Sequence, residues 1–332
     1  MYVLARDDAG PYHLFAWKEA VEEAYGHRAC YLVAEDDDQN IMGALPLFLV
    51  RLPLFKGVLV SLPFCDYGGA LASDLKTLDA LHRGAYDHAL RLHASLELRL
   101  RVADTSLLHE HHMGVQSHKA RMVLDLPSSS NELWNGFKSK LRSQIKRPQK
   151  EGFQFILGST ELVKEFYSVF AANMHDLGSP VHSRELIDAV VRSFGHRAHV
   201  GIVRAGSKPV AGGIILEMNG LVAIPWASSL NEYSRSSPNM LLYWGFLKYA
   251  ADHGFKRFDF GRSTPGEGTY RFKEQWGATP IGLHWYTQDS RGFMEQNDSP
   301  GALRHLAEKT WSRLPRRMTD TLGPMVRRYI TL

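Results

Sequence analysis

The sequence predicts a mixed-sheet α/β protein made of two tandem units with one plan. Two observations predict this. The order strand, turn, strand, strand, helix, strand occurs twice along the 332 residues, and such an order builds α/β architecture. Single positions recur with it. Gly43 and Gly212 each open the second strand of a hairpin, Pro63 and Pro225 sit near the end of the next strand, and Arg101 and Arg262 close the last.

The first unit spans roughly 1–125. "YLVAEDDDQNIMGALPLFLV" (31–50) reads as strand, acidic turn, strand, and leads to the strand "VLVSLPF" (58–64). A helix follows over 77–94, where Leu78, Leu81, Ala85, Leu90 and Leu92 form an apolar stripe at helical spacing. "LELRLR" (96–101) is the closing strand. Pro127 and the run Ser128–Ser130 mark a junction, and Ser129 with Glu132 forms a capping box for the next helix. The second unit, 126–290, repeats the order: "HVGIVRAGSKPVAGGIILEM" (199–218), "LVAIPWASS" (221–229), a helix over 239–254 and "FKRFDFGR" (255–262). A basic, amphipathic tail, 291–332, remains.

Composition is that of an ordinary globular protein, with 44% hydrophobic and 22% charged residues. Lys and Arg total 39 against 35 Asp and Glu, so any basic function must come from local clustering. Cys30 and Cys65 stand far apart, which argues against a disulfide framework or zinc site and fits a reducing cytoplasm. The start, "MYVLARDDAG", has no apolar core of a secretory signal, and "IMGALPLFLV" (41–50) is too short to span a bilayer. The expected location is the cytoplasm or the inner face of the membrane.

The most informative stretch is "FDFGRSTPGEGTYRFKEQWGATP" (258–280), a charged strand end, a Gly/Pro loop and a lysine framed by aromatics. Loops fixed at the end of a rigid strand often carry function. Asp259 and Arg262 are candidates for substrate contact, or else form a local ion pair. Lys273 is a candidate catalytic cation, or else a solvated lysine on a surface helix. Tyr270, Arg271 and Phe272 would shape the pocket. In the first unit Asp66 and Tyr67 occupy a related loop beside Gly68 and Gly69. There Asp66 is a candidate proton acceptor or amine binder, or else serves the turn.

"SLPFCDYGGAL" (61–71), "LWNGFKSKLRSQIKRPQKEGF" (133–153), "MHDLGSPVHS" (174–183), "WASS" (226–229), "SPNMLLYW" (237–244) and "DFGRSTPGEGTYRFKEQWGA" (259–278) follow one another along most of the chain up to about residue 290. In this order the chain resembles the FemAB/FemX aminoacyltransferases, tandem copies of the acyl-CoA N-acyltransferase (GNAT) fold that form peptidoglycan bridges. The resemblance is nearest to a branch associated with PEP-CTERM/exosortase exopolysaccharide systems. It implies transfer of an acyl or aminoacyl group to an amine of an envelope or exopolysaccharide precursor. Lys273, in the place of the family's Phe-Lys pair, would stabilise charge at the reacting centre. Trp226 falls in one of the shared motifs and joins the substrate-binding candidates.

The chemistry agrees. Acyl transfer to an amine passes through a tetrahedral oxyanion that needs a preorganised cation or N–H donors, and a group or water must take the ammonium proton. One departure bears on the donor. Coenzyme-A-dependent members of the fold grip pyrophosphate on a glycine turn at a helix N-terminus. Here the turn reads "NEYSRSSPNM", with no glycine and with Pro238 lacking an N–H. That disfavours acyl-CoA and favours aminoacyl-tRNA or another carrier, with no tightly bound cofactor.

"KSKLRSQIKRPQK" (138–150) holds six cations and no acid. Lys138, Arg142 and Lys146 share a helix face, with Arg147 beside them. This face would attract phosphates of tRNA, a nucleotide-sugar or a polyprenyl lipid, unless it is merely solvated. In the tail, Trp311, Leu314, Met318, Leu322, Met325 and Ile330 mix with Arg313, Arg316, Arg317, Arg327 and Arg328. Such a segment either lies on an anionic membrane surface or docks its apolar side on the domains. His109, His111, His112 and His118 are consecutive loop residues without defined metal geometry, and no metal site is expected. Thr105 and Ser106 lack a nearby base, so serine hydrolysis is unsupported. Two rival readings stay open: an acyl-CoA N-acyltransferase with an unusual turn, and a non-catalytic scaffold at a membrane surface.

Overall fold

The structure is a computed structural model that describes residues 2–51, 55–104, 107, 113–116, 118–288 and 302–332. The strands in chain order begin with β1 (Arg28–Ala29), β2 (Leu32–Glu35), β3 (Ile41–Leu45), β4 (Phe48–Val50), β5 (Val58–Val60), β6 (Leu71–Ala72), β7 (Ser95–Leu100) and β8 (Gly114–Gln116). They continue with β9 (Ala120–Asp125), β10 (Phe153–Gly158), β11 (Ala198–Ala205), β12 (Lys208–Met218), β13 (Leu221–Ser229), β14 (Arg257–Ser263), β15 (Thr279–Gly282) and β16 (His284–Gln288). A seven-stranded sheet runs β10-β11-β12-β13-β14-β9-β15, a six-stranded sheet runs β1-β4-β5-β7-β16-β8, and β2-β3-β6 form a third.

The repeated order becomes a repeated topology. In the first sheet β4 and β5 are antiparallel, and β5 then pairs parallel with β7 across the helix Leu75–Arg91. In the second, β12 and β13 are antiparallel, and β13 pairs parallel with β14 across the helix Pro238–Asp252. Parallel neighbours require such a crossover. Both parallel strands then gain an antiparallel neighbour from the far end of the other sequence unit. β9 pairs with β14, and β16 pairs with β7. The strands closing the sequence units are thus exchanged between sheets, which no local pattern specifies.

Local rules set the element ends. The Asp74 carboxylate accepts the Thr77 N–H at 2.7 Å and starts its helix two residues before the apolar stripe predicts. The inward stripe is Leu81, Ala85 and Ala89, whereas Leu90 is 55% exposed. Ser129 caps the helix Ser130–Gly136 by accepting the Glu132 N–H at 3.2 Å, but the Glu132 carboxylate accepts from the Ser128 hydroxyl at 3.1 Å, so only half of the predicted capping box forms.

Among the described residues, three large core clusters and one small one, Ala9, Leu71 and Met218, form the interior. One large cluster lies under Leu75–Arg91 and one under Pro238–Asp252. The third is shared by both units and joins Trp17, Phe48, Leu62, Phe166, Ile214, Trp226 and Trp285. Trp17 stacks on Trp226 with centroids 5.9 Å apart and donates its indole N–H to the Pro63 carbonyl at 3.1 Å. No helix among the described residues is long and apolar enough to cross a membrane.

Candidate active site in the splay of the second sheet

The parallel pairing of β13 and β14 ends at Ala223 and Asp259, although both strands continue. Beyond it the strands separate, and their freed backbone groups need other partners. Gly261 sits there at φ +71°, in the left-handed region that suits glycine. Lys273, from the short helix Gly268–Glu274, reaches back and donates to the carbonyls of Gly261 at 3.0 Å and Arg262 at 2.7 Å. It is 8% exposed. A solvated surface lysine is therefore the wrong description. Burial pushes its pKa down to about 8, against the pull of Asp66 and Asp259.

Asp66 enters this splay from the first unit. Its Oδ2 accepts the Arg262 backbone N–H at 2.9 Å, and its Oδ1 lies 3.5 Å from Arg262 Nε. The Arg262 guanidinium also lies over the Trp285 ring at 5.3 Å, and Trp285 donates its indole N–H to the Asp66 carbonyl at 2.9 Å. β16, which carries Trp285, thus fastens the Asp66 loop in place. A Cβ on Gly261 would lie 3.3 Å from Asp66 Oδ2, so the approach depends on that glycine.

Asp259 corrects one expectation. It pairs not with Arg262 but with Arg121 of β9, at 3.1 Å, and its other oxygen accepts the Gly261 N–H at 2.9 Å. Both side chains are buried, and burial raises the Asp259 pKa against the opposing pull of Arg121. A bulge between Asp259 and Arg262 lets β14 turn the two side chains to different partners. Tyr67 completes the cluster with the Arg121 guanidinium 4.9 Å and the Arg101 guanidinium 5.5 Å from its ring centroid.

Lys273, Asp66, Asp259, Arg262 and Tyr67 are thus brought to one place. Others are not. Arg271 is exposed, and Phe272 packs edge-on to Tyr243 at 5.0 Å within the core under Pro238–Asp252, where Tyr270 also packs. Trp226 is committed to the shared core. Lys138, Arg142, Lys146 and Arg147 lie at the start or on the open side of the helix Ser139–Lys150, whose inner side is Leu141, Ile145 and Pro148. Lys146 lies 5.5 Å from the Trp134 ring centroid and Arg147 pairs with Glu151 at 3.3 Å. This helix packs on Pro238–Asp252, and no described contact joins its cations to Lys273.

Sequence reasoning missed Arg121, Trp285 and Arg99. Arg121 offered a signal, an arginine in the otherwise apolar run "ARMVL", since a buried strand tolerates one only with a partner. A cavity of about 700 Å³ lies in the first unit at the start of Leu75–Arg91, walled by Leu71, Leu78, His82, Leu100 and Arg101 among others. Among the described residues no group of three or more His, Cys, Asp or Glu could hold a metal ion. His109, His111, His112, Thr105 and Ser106 lie outside the described residues.

Residues 135–274 match the family model described as acetyltransferase (GNAT) domain. The second unit has the GNAT fold. The crystal structure of FemX is similar at a TM-score of 0.66, over 87% of this chain and 95% of that one, with 15% identity. The C-terminal domain of a putative lysylphosphatidylglycerol synthetase from Agrobacterium fabrum is similar at 0.58, over 93% and 94%, with 12% identity. A tandem GNAT protein from the clavulanic acid biosynthesis pathway reaches 0.50 over 79% and 83%, with 11% identity. No curated protein matches the sequence. The chain is a mixed α/β protein of tandem GNAT-like units, and the resemblance to FemX holds at the level of the fold.

Proposed function

We propose that this protein is an N-acyltransferase that moves an acyl or aminoacyl group from an activated carrier to an amine of a cell-envelope or exopolysaccharide precursor. The observation that carries this reading is the buried Lys273 ammonium fixed on two carbonyls at the sheet splay. Two of its N–H bonds are used there. The third is available to an oxyanion in a site sheltered from water, where one charge is worth far more than in bulk solvent.

In this scheme the acceptor nitrogen attacks the acyl carbon and forms the C–N bond. The carbonyl electron pair moves onto oxygen beside Lys273. Collapse breaks the bond to the carrier, which leaves with its electron pair. The ammonium proton passes to Asp66, directly or through water. Asp66 stays oriented by the Arg262 N–H and guanidinium, and Asp259 with Arg121 holds the strand end that presents both carbonyls.

The names of the similar structures, FemX and a lysylphosphatidylglycerol synthetase, support an envelope acceptor and an aminoacyl donor. The turn before Pro238–Asp252 supports the same donor. Ser237 has φ +55° and Pro238 contributes no N–H, so the backbone cradle for a pyrophosphate is depleted. The exposed cations of Ser139–Lys150, on the helix packed beside that turn, supply a face for tRNA phosphates instead. An acyl-CoA donor is the second reading, favoured by the matched domain description.

The test offers radiolabelled aminoacyl-tRNA or acetyl-coenzyme A with membrane-derived precursors to the wild type and to Lys273→Ala. Label moving from aminoacyl-tRNA, and lost in the variant, is the expected outcome. Transfer only from acetyl-coenzyme A makes the second reading correct. An in-cell role that survives Lys273→Ala intact points to a non-catalytic scaffold and removes the enzymatic proposal.

A further inference from the structure

The tail helix Arg316–Arg327 docks with its faces reversed. An ordinary surface helix turns its apolar stripe to the core. Here the inward positions are Thr319 and Gly323, both buried, and a Cβ on Gly323 would lie 3.1 Å from the Val181 nitrogen. Met318, Leu322 and Met325, spaced i, i+4, i+7, face outward at 46%, 39% and 61% exposure, and Val326 and Ile330 add 43% and 39%. The docking is well anchored. Arg316 donates to the Ser168 carbonyl at 3.0 Å, His27 meets the Arg328 carbonyl at 2.6 Å, and the Phe64 N–H donates to the Thr331 carbonyl at 2.7 Å. Arg328 binds the Tyr25 carbonyl, and Arg327 is half-buried, its pKa pushed down to about 10 by burial. These last two arginines serve the dock and do not belong to the outer face.

The cations that do stand outside are Arg313 and Arg317, exposed and without an ion partner among the described residues. The helix's only carboxylate, Asp320, is engaged by Arg316 at 3.7 Å. The outer face is therefore apolar with an uncompensated positive fringe.

We propose that this face docks on an anionic lipid surface, with Met318, Leu322 and Met325 entering the headgroup–acyl boundary and Arg313 and Arg317 meeting lipid phosphates. Charge complementarity favours lipid over a second copy of the chain, because a two-fold contact would set the same arginine fringe against itself. The inference stands apart from the transfer chemistry. Its consequence is that a segment tied through Thr331 to Glu97 and Phe64 of the first unit also holds the enzyme at a membrane.

The test is co-sedimentation of the full chain with vesicles of phosphatidylcholine alone or with phosphatidylglycerol. Binding is expected only with phosphatidylglycerol and should weaken as salt rises. Arg313→Gln and Arg317→Gln should each lower affinity about five-fold, and Leu322→Asp with Met325→Asp at least ten-fold. These positions are exposed, so circular dichroism should stay unchanged. Absent or composition-independent binding overturns the proposal, as does equal binding by the variants. So does a concentration-dependent dimer that Leu322→Asp dissolves, which would identify the face as a contact between copies.

Discussion

The two sheets open in the same way and fill the opening differently. Parallel pairing ends at Val60 and Glu97 in the first sheet and at Ala223 and Asp259 in the second. Two residues further on stands Arg99 in one and Gly261 in the other. Arg99 is fully buried and plugs its own splay, donating to the Leu62 carbonyl at 3.3 Å, the Cys65 carbonyl at 2.7 Å and, from Nε, the Glu97 carboxylate at 2.8 Å. Gly261 has no side chain to plug with, so the second splay admits Asp66 from the other unit and exposes carbonyls to Lys273. A side chain at one position separates a plugged splay from the one proposed to carry the chemistry.

The largest expected effect breaks the structural half. Arg99→Met leaves Glu97 without its buried partner and should cost about 3–5 kcal/mol of stability, read by urea unfolding. Because Arg99 also holds the Cys65 carbonyl next to Asp66, the rate per folded molecule should fall as well. On the working side, Lys273→Met should lower kcat about 10²–10³-fold, the range for removing one oxyanion donor, with thermal unfolding at neutral pH little changed. Gly261→Ala forces a left-handed alanine beside Asp66 and should destabilise by about 1–2 kcal/mol, while displacing the carboxylate and lowering kcat/KM. A further expectation is a pH signature. Because burial brings Lys273 to about 8 in the folded protein, the unfolded chain holds that proton to higher pH. Stability should therefore rise from about pH 8 toward the ordinary lysine pKa, and a chemical-denaturation series in Lys273→Met should lack that rise.

Local chemistry was legible in the sequence, and long-range pairing was not. The repeated element order, the Ser129 cap and the Gly/Pro loop before Lys273 rest on residues a few positions apart, where periodicity and turn rules act. The Asp259–Arg121 pair spans 138 positions and arises only when β9 crosses into the second sheet. Reading Asp259 against its sequence neighbour Arg262 was the natural error, and the bulge in β14 explains why it fails. The burial of Lys273 was equally out of reach, since its helix starts at the surface and its carbonyl partners lie 11 and 12 residues back, across a loop. For the tail, composition supplied the amphipathic character but not the direction of its apolar face. Thr319 and Gly323, the residues that dock, carry no hydrophobic signal.

The central claim, that the second splay holds a desolvated lysine ready to meet developing negative charge, is tested most directly by titrating Lys273 itself. Lysine ε-carbons labelled with ¹³C, with Lys273→Arg to assign the resonance, would report its protonation by NMR without knowledge of any substrate. A midpoint near 8 is the predicted result. A midpoint at the ordinary lysine value, about 10.4, would mean that Lys273 is solvated and that the splay offers no special cation, which would contradict the account.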